Sequence, residues 1–349
     1  MSTYYSNRDN NYSNFPNGPR RVIRASVVAA RNNATNRAIR GVEVNAPGLN
    51  SGRSYALVGS GGGLSKSSSR ATRSSYIRRR MGEAKLTYLA AGSTGLAFSA
   101  RGSILLSKAW QRFLGGASNV VRGAPLPITG ASLVVKVTFK PDGESMRDHI
   151  QLAVKEARVH ATIVSKKGSL GRETIAGRDL LPAFYGAGMD MRSGAYIILM
   201  GAAEGKSLDA TLASQHNTLT AAQFCAVDLA FQRLWALGFC HSDSHGGNIF
   251  LTKDGKCTFI DMGHALAMPP RLREIMKQQM MRRPDVLAAG LFDIYQAKVN
   301  SVMKGRGYSE WINSDGTMLL YLLKLVPESR LAEISRLKMR RFSVANRPS

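Results

Sequence analysis

Apolar residues recur along this chain in two rhythms, and a long opening stretch shows neither. Leu86–Ala90 and Gly95–Ala100 predict two short strands around a turn of small residues. Leu133–Phe139 (LVVKVTF) is β-branched and apolar except for Lys136, and predicts a strand carrying one cation. Ala195–Met200 (AYIILM) predicts a buried strand. Between them, Ile150, Ala153, Val154, Ala157, Ala161 and Val164 repeat at helical spacing. With Ser145 and Asp148 suited to a helix start, they predict a helix over Ser145–Lys166. A second helix is predicted over Thr220–Gly238. Thr220 and Gln223 form its capping box, and Phe224, Val227, Phe231 and Leu234 form its apolar stripe. Short strands follow near Ile249–Leu251 and Cys257–Ile260, joined by a turn at Asp254-Gly255. The last ~80 residues read as basic helices, with Pro327 separating the final two. There is no internal repeat.

Composition sets limits on this pattern. The 349 residues are 44% hydrophobic, which excludes a wholly disordered chain and allows one or two domains. The longest apolar candidate for a membrane span, Met318–Val326, is too short and contains Lys324. The polar start, Ser2 to Asn14, predicts no secretory signal. Cys225, Cys240 and Cys257 are odd in number and widely spaced. They support neither a disulfide framework nor a zinc ribbon, and they point to a reducing compartment, cytoplasm or nucleus.

The net charge is +25 and uneven. Residues 1–80 carry 14 Lys+Arg against 2 Asp+Glu, residues 81–268 carry 19 against 14, and residues 269–349 carry 15 against 7. The first 82 residues, rich in Asn, Ser, Arg and Gly, read as a basic disordered tail with a flexible linker at Gly59–Ser69. Residues 1–80 are expected to attract a polyanion, either nucleic acid or an acidic protein surface.

The chemistry concentrates in Phe239–Ala265, FCHSDSHGGNIFLTKDGKCTFIDMGHA. A loop, a hairpin and a second acidic turn allow Asp243, Asn248 and Asp261 to converge. Two carboxylates and an amide oxygen suit Mg²⁺ bound to phosphates. Two other chemistries fit the residues less well. His241 and His245 are four apart, but Gly246-Gly247 argues against the helix that would align them on zinc. Gly59–Ser67 (GSGGGLSKS) nearly matches a phosphate-cradling loop, but Ser65 stands where glycine is needed and no helix pattern follows.

His241-x-Asp243-x-His245-x-x-Asn248 resembles the catalytic loop of the protein-kinase-like superfamily. Asp261-Met262-Gly263, 13 residues after Asn248, resembles its metal-binding turn. Upstream, Leu89–Gly95 is similar to the glycine-rich loop, with Ala90 in place of the first glycine. Lys136 sits in a Val-Val-Lys-Val strand, and Glu156 follows 20 residues later on a helix. The resemblance spans roughly residues 86–265 and implies an α+β, two-lobed fold. The β-rich N-lobe is expected over 83–200, and a short, mainly helical C-lobe over 201–349.

The resemblance also implies roles. Asp243 orients the acceptor hydroxyl and takes its proton. Lys136, held by Glu156, contacts the α- and β-phosphates of ATP. Asn248 and Asp261 hold Mg²⁺. The backbone at Ala91, Gly92 and Gly95 covers the phosphates, and Met200 and Ala202 offer main chain to adenine. His241 is expected to anchor the loop through hydrogen bonds.

The departures bear on the acceptor. His245 stands where protein kinases carry lysine, as in small-molecule phosphotransferases and some atypical kinases. Ser242 replaces the arginine that senses a phosphorylated activation loop. No Ala-Pro-Glu motif follows Gly263. The 41 residues from Gly95 to Lys136 imply an insertion near Arg101–Thr129, between strands of the N-lobe.

The leading expectation is an atypical ATP-dependent Ser/Thr kinase, with protein substrates that include its own tail at Ser65–Arg70 and Arg73–Arg80. The alternatives are a small-molecule kinase, and a non-catalytic scaffold anchored by the tail. The scaffold reading rests on composition similar to packaged virion proteins.

Overall fold

A computed structural model describes residues 70–81, 85–91, 95–170, 173–268, 315, 318–319 and 321–345. Expectations for residues 1–69, for Gly92–Thr94 of the glycine-rich loop and for most of 269–320 lie outside the described residues.

The sheet-rich part of the chain is one antiparallel sheet of six strands. They are β1 (Thr87–Ala91), β2 (Gly95–Arg101), β3 (Ser118–Arg122), β4 (Ser132–Thr138), β7 (Phe184–Asp190) and β8 (Ala195–Gly201), in the order β1-β2-β4-β8-β7-β3. Side chains alternate between its faces, so each strand feeds two cores. From β8, Ala195, Ile197 and Leu199 point to one face, while Tyr196, Ile198 and Met200 point to the other. The same alternation in β4 sends Leu133, Val135 and Val137 into the first core and turns Lys136 the opposite way.

The second face packs on α3 (Met146–Ser165), where Ala153, Val154 and Ala157 meet Phe184, Tyr196 and Ile198. Ser145 caps this helix by accepting from Asp148 N at 3.1 Å, as the sequence pattern predicts. The first face is covered by two helices, α1 (Arg70–Arg80) and α2 (Ile104–Gly116). In α2, Ser103 caps, and Leu106, Ala109, Trp110 and Phe113 form the buried stripe at i, i+3, i+4 and i+7.

Two expectations change here. Residues 70–80, read as tail, form α1, because Ile77 and the following Met81 bury completely against the sheet despite the arginines around them. The expected insertion holds α2 and β3. Strand β3 does not lie between its sequence neighbours; it pairs with β7 and becomes the far edge of the sheet.

A hairpin, β5 (Lys167–Leu170) with β6 (Glu173–Ala176), leads from α3 back to the sheet. After β8, short β9 (Lys206–Ser207) precedes α4 (Leu208–Ser214) and α5 (Ala221–Ala236). The capping box of α5 forms with both reciprocal bonds, Gln223 N to Thr220 Oγ1 at 3.1 Å and Thr220 N to Gln223 Oε1 at 2.9 Å. Helix α5 runs through a separate core with Phe231, Leu234 and Trp235 at its centre. The strands β10 (Phe239–Cys240), β11 (Ile249–Leu251), β12 (Cys257–Phe259) and β13 (Leu266–Ala267) surround it. Pro327 interrupts the helical path before α6 (Leu331–Ala345). Lys338 of α6 pairs with buried Asp228 of α5 at 2.8 Å, where Gln232 also donates to Asp228.

Candidate active site

Strand pairing sets the stage for the cleft. Strands β11 and β12 pair as Ile249↔Phe259, and Ile260 N donates to Asn248 O at 3.0 Å. Asn248 and Asp261 therefore leave the two ends of one hairpin side by side. Asn248 donates its side-chain N–H to Asp243 O at 3.0 Å and has Asp243 Oδ2 at 3.5 Å. Its carbonyl oxygen is left as the atom a cation would take. Asp261 occupies the left-handed region at φ 59°, which throws its carboxylate back toward the sheet.

There it meets Lys136. The ammonium lies 2.8 Å from Asp261 Oδ1 and 2.6 Å from Glu156 Oε1, so one lysine of β4 joins α3 to the acidic turn. Burial alone would lower the pKa of Lys136, but the two carboxylates beside it drive it up. Burial would raise the Asp261 carboxyl; the Lys136 charge and hydrogen bond overrule that, and the net shift is downward. Both groups are ionised at neutral pH.

The loop between β10 and β11 is held from two sides. His241 is buried, and its Nδ1 accepts from Asp243 N at 3.3 Å. Its proton therefore sits on Nε2, which donates to Ile260 O at 2.9 Å. His245 caps the following turn, with Nδ1 accepting from Gly247 N at 3.2 Å, so its Nε2 also carries a proton. With one ring nitrogen of each histidine on main chain, the pair is not arranged as a shared metal site. The second restraint comes from Asp315, which is fully buried. Its Oδ2 accepts from Trp235 Nε1 at 3.1 Å and His241 N at 2.9 Å; its Oδ1 accepts from Ser242 N at 2.9 Å and from the Ser244 hydroxyl. These bonds hold Ser242 at φ 64°, a conformation that costs a residue with a Cβ ~1–2 kcal/mol.

Asp243, Asn248, Asp261, Lys136 and Glu156 all line one cleft of about 1790 Å³ between the sheet and α5's core. Ala91 and Gly95 line its roof, and Met200 and Ala202 line its inner edge. Gly95 admits no side chain, because a Cβ there would overlap Val137 O of β4. Gly92 lies outside the described residues. At the inner edge, Ala202 N–H is taken by Ser132 O at 3.0 Å, so Ala202 has only its carbonyl to offer a ligand. Asp209 of α4 also lines the cleft, against Gly246, where any Cβ would overlap its carboxylate.

Sequence reading missed three contributors. Asp315 lies 71 to 80 residues from its donors and carries no local signal. Asp209 and the occupied Ala202 N–H emerge only from the packing. Among the described residues, no three His, Cys, Asp or Glu side chains cluster as a metal site; the Asp243–Asn248–Asp261 set has two carboxylates and an amide.

A sheet packed on α3, a lysine bridging that helix to an acidic turn, and a loop carrying Asp and Asn define a protein-kinase-like arrangement. Residues 189–283 match the ABC1 atypical kinase-like domain, and this chain is protein-kinase-like. An uncharacterized protein of Synechocystis sp. is 33% identical over 78 residues. That match takes in 22% of this chain and 18% of the relative's length. Lys136 and Glu156 precede the matched stretch, and the contact of Lys136 with Asp261 ties them to it.

Proposed function

We propose that the chain is an ATP- and Mg²⁺-dependent phosphotransferase acting on a hydroxyl acceptor, as an atypical Ser/Thr kinase. One observation carries the reading: Lys136 reaches Glu156 and Asp261 at once, in the cleft that also holds Asp243 and Asn248. Phosphoryl transfer needs charge neutralisation and alignment more than covalent chemistry. The donor set fits a hard cation, since Asp261 and the free oxygen of Asn248 are hard oxygen ligands. Asp261 and Asn248 would hold Mg²⁺, which would supply positive charge to neutralise the phosphates. Lys136 holds the α- and β-phosphates, and Glu156 keeps its ammonium aimed. Asp243 orients the acceptor hydroxyl and accepts its proton. The protonated Nε2 of His245 gives the cleft a further donor near the transferred group. Met200 and the Ala202 carbonyl face the adenine, and Ala91, Gly92 and Gly95 cover the phosphates. The sheet-rich part acts as the N-lobe and α5's core as the C-lobe. Of the basic residues 1–80, those before α1 serve as a polyanion-binding arm, tested by salt-dependent nucleic-acid binding that is lost on deletion of residues 1–69 with α1 kept.

A second reading keeps the chemistry and changes the acceptor to a small molecule. His245 in place of lysine and a cleft of about 1790 Å³ favour it. The test is transfer of labelled γ-phosphate with Mg²⁺, comparing wild type with Asp243→Asn and Asp261→Ala. Label on protein in the wild type alone supports the Ser/Thr reading. Label only with added small alcohols supports the second. No transfer, with or without nucleotide binding, overturns the enzymatic reading in favour of a scaffold.

A further inference from the structure

We infer that α1 is a strap that positions α3, and through it the Lys136–Glu156 pair; the inference rests on reading the cleft as a nucleotide site. The strap's polar face is built on Asp190. The Tyr76 hydroxyl donates to Asp190, and Arg80 donates through Nε at 3.0 Å and Nη2 at 2.7 Å. Ser193 Oγ adds a bond at 2.9 Å. Asp190 is only 7% exposed. Burial would raise its carboxyl, but these hydrogen bonds and the Arg80 charge pull it down. The adjoining apolar face, Ile77 with Met81 just past the helix, is fully buried.

The main-chain carbonyl of Asp190 also closes the turn between β7 and β8, accepting from Gly194 N at 2.8 Å. The far side of that turn touches α3. His149 Nε2 meets Gly194 O at 3.1 Å, and a Cβ on Gly194 would come 2.8 Å from the tip of Met146. His149 is two helical turns before Glu156 and on the same stripe, as is His160 four residues after it. His160 Nε2 meets Pro182 O at 2.8 Å. Helix α3 is thus pinned at two places by buried histidines on main-chain carbonyls, with Glu156 between them. The His160 pin is independent of α1, whereas the His149 pin hangs on the turn that α1 holds. At ~1.5 Å per residue, Glu156 lies ~10 Å from the first pin and ~6 Å from the second. Freeing the first lets α3 pivot about the second, and Glu156 moves by about a third of the displacement at His149. A hydrogen-bonded ion pair does not survive a shift of ~1 Å unchanged.

The test uses the full chain with Tyr76→Phe and with Tyr76→Phe/Arg80→Gln, and Arg80→Lys as the conservative control. Hydrogen exchange reports α3, and binding of Mg²⁺ with a non-hydrolysable ATP analogue reports the cleft. The expected result is faster exchange over residues 149–156, unchanged exchange over 160–165, and ~10-fold weaker nucleotide binding in the double variant. Arg80→Lys should keep most of the affinity. Faster exchange confined to α1, with α3 and affinity unchanged, overturns the strap. If the double variant does not fold, Tyr76→Phe alone decides by the same exchange pattern. If the wild type binds no nucleotide, the reading of the cleft fails by itself, and exchange in α3 still decides the strap.

Discussion

Asp315→Asn tests whether one buried carboxylate shapes the catalytic loop. The substitution keeps size and removes one acceptor. Four donors converge on Asp315, two on each oxygen. In asparagine one of those oxygens becomes an NH₂, so one pair of donors loses its acceptor and faces another donor. Hydrogen bonds to a charged group are worth ~1.5–3 kcal/mol each, so two lost bonds cost about 3–6 kcal/mol gross. Relief from burying a carboxylate returns part of this. The strained Ser242 backbone, no longer held by both restraints, adds to the change in loop shape. The expected net loss is ~2–4 kcal/mol, read as a lower urea midpoint at unchanged m-value. Phosphate transfer should fall well beyond what the unfolded fraction explains, because Asp243 follows directly on Ser242. A variant within ~0.5 kcal/mol of wild type, with full transfer, would refute the reasoning.

Three other outcomes are expected. His160 is pushed by burial from its ordinary value of 6.5 down to about 4. The unfolded chain therefore binds its proton first, and stability present above pH ~6.5 is lost as pH falls toward ~4, by ~3 kcal/mol. Urea midpoints from pH 7 to 4.5 should show this slope, and His160→Gln should reduce it, the remainder coming from His149, whose burial also pushes its imidazole downward. Lys338→Met leaves Asp228 buried without its cation and should cost ~3–5 kcal/mol, while Lys338→Met/Asp228→Leu should recover most of it, as a double-mutant cycle would measure. Lys136→Met should destabilise by leaving Glu156 and Asp261 uncompensated. Adding Glu156→Gln should restore part of the melting temperature, Asp261 still lacking its cation, but not transfer, and recovery of transfer would contradict the role given to Lys136.

The parts of the structure written in local periodicity were legible. Helices α3 and α5 begin at their polar caps, and Lys136, Glu156, Asp243, Asn248 and Asp261 meet because their spacing brings strand, helix and hairpin together. Long-range elements were not legible. Helix α1 reads RATRSSYIRRR, and its apolar contribution is one isoleucine followed by Met81 just past its end. Five arginines hide that contact in any composition count. Strand β3 is short, and only its pairing with β7 makes it a strand. Asp315 looks like any loop aspartate until Trp235, His241, Ser242 and Ser244 are placed around it.

The reach of Asp315 has a consequence for how the molecule is assembled. Each of its bonds closes a loop of more than seventy residues. Such contacts are entropically late, and during synthesis they cannot form until residue 315 has been made and has emerged. The six-stranded sheet, complete by residue 201, can be folded long before then. A growing chain would therefore carry a finished roof over an unfinished loop. Competence for chemistry would be deferred until synthesis has passed residue 315.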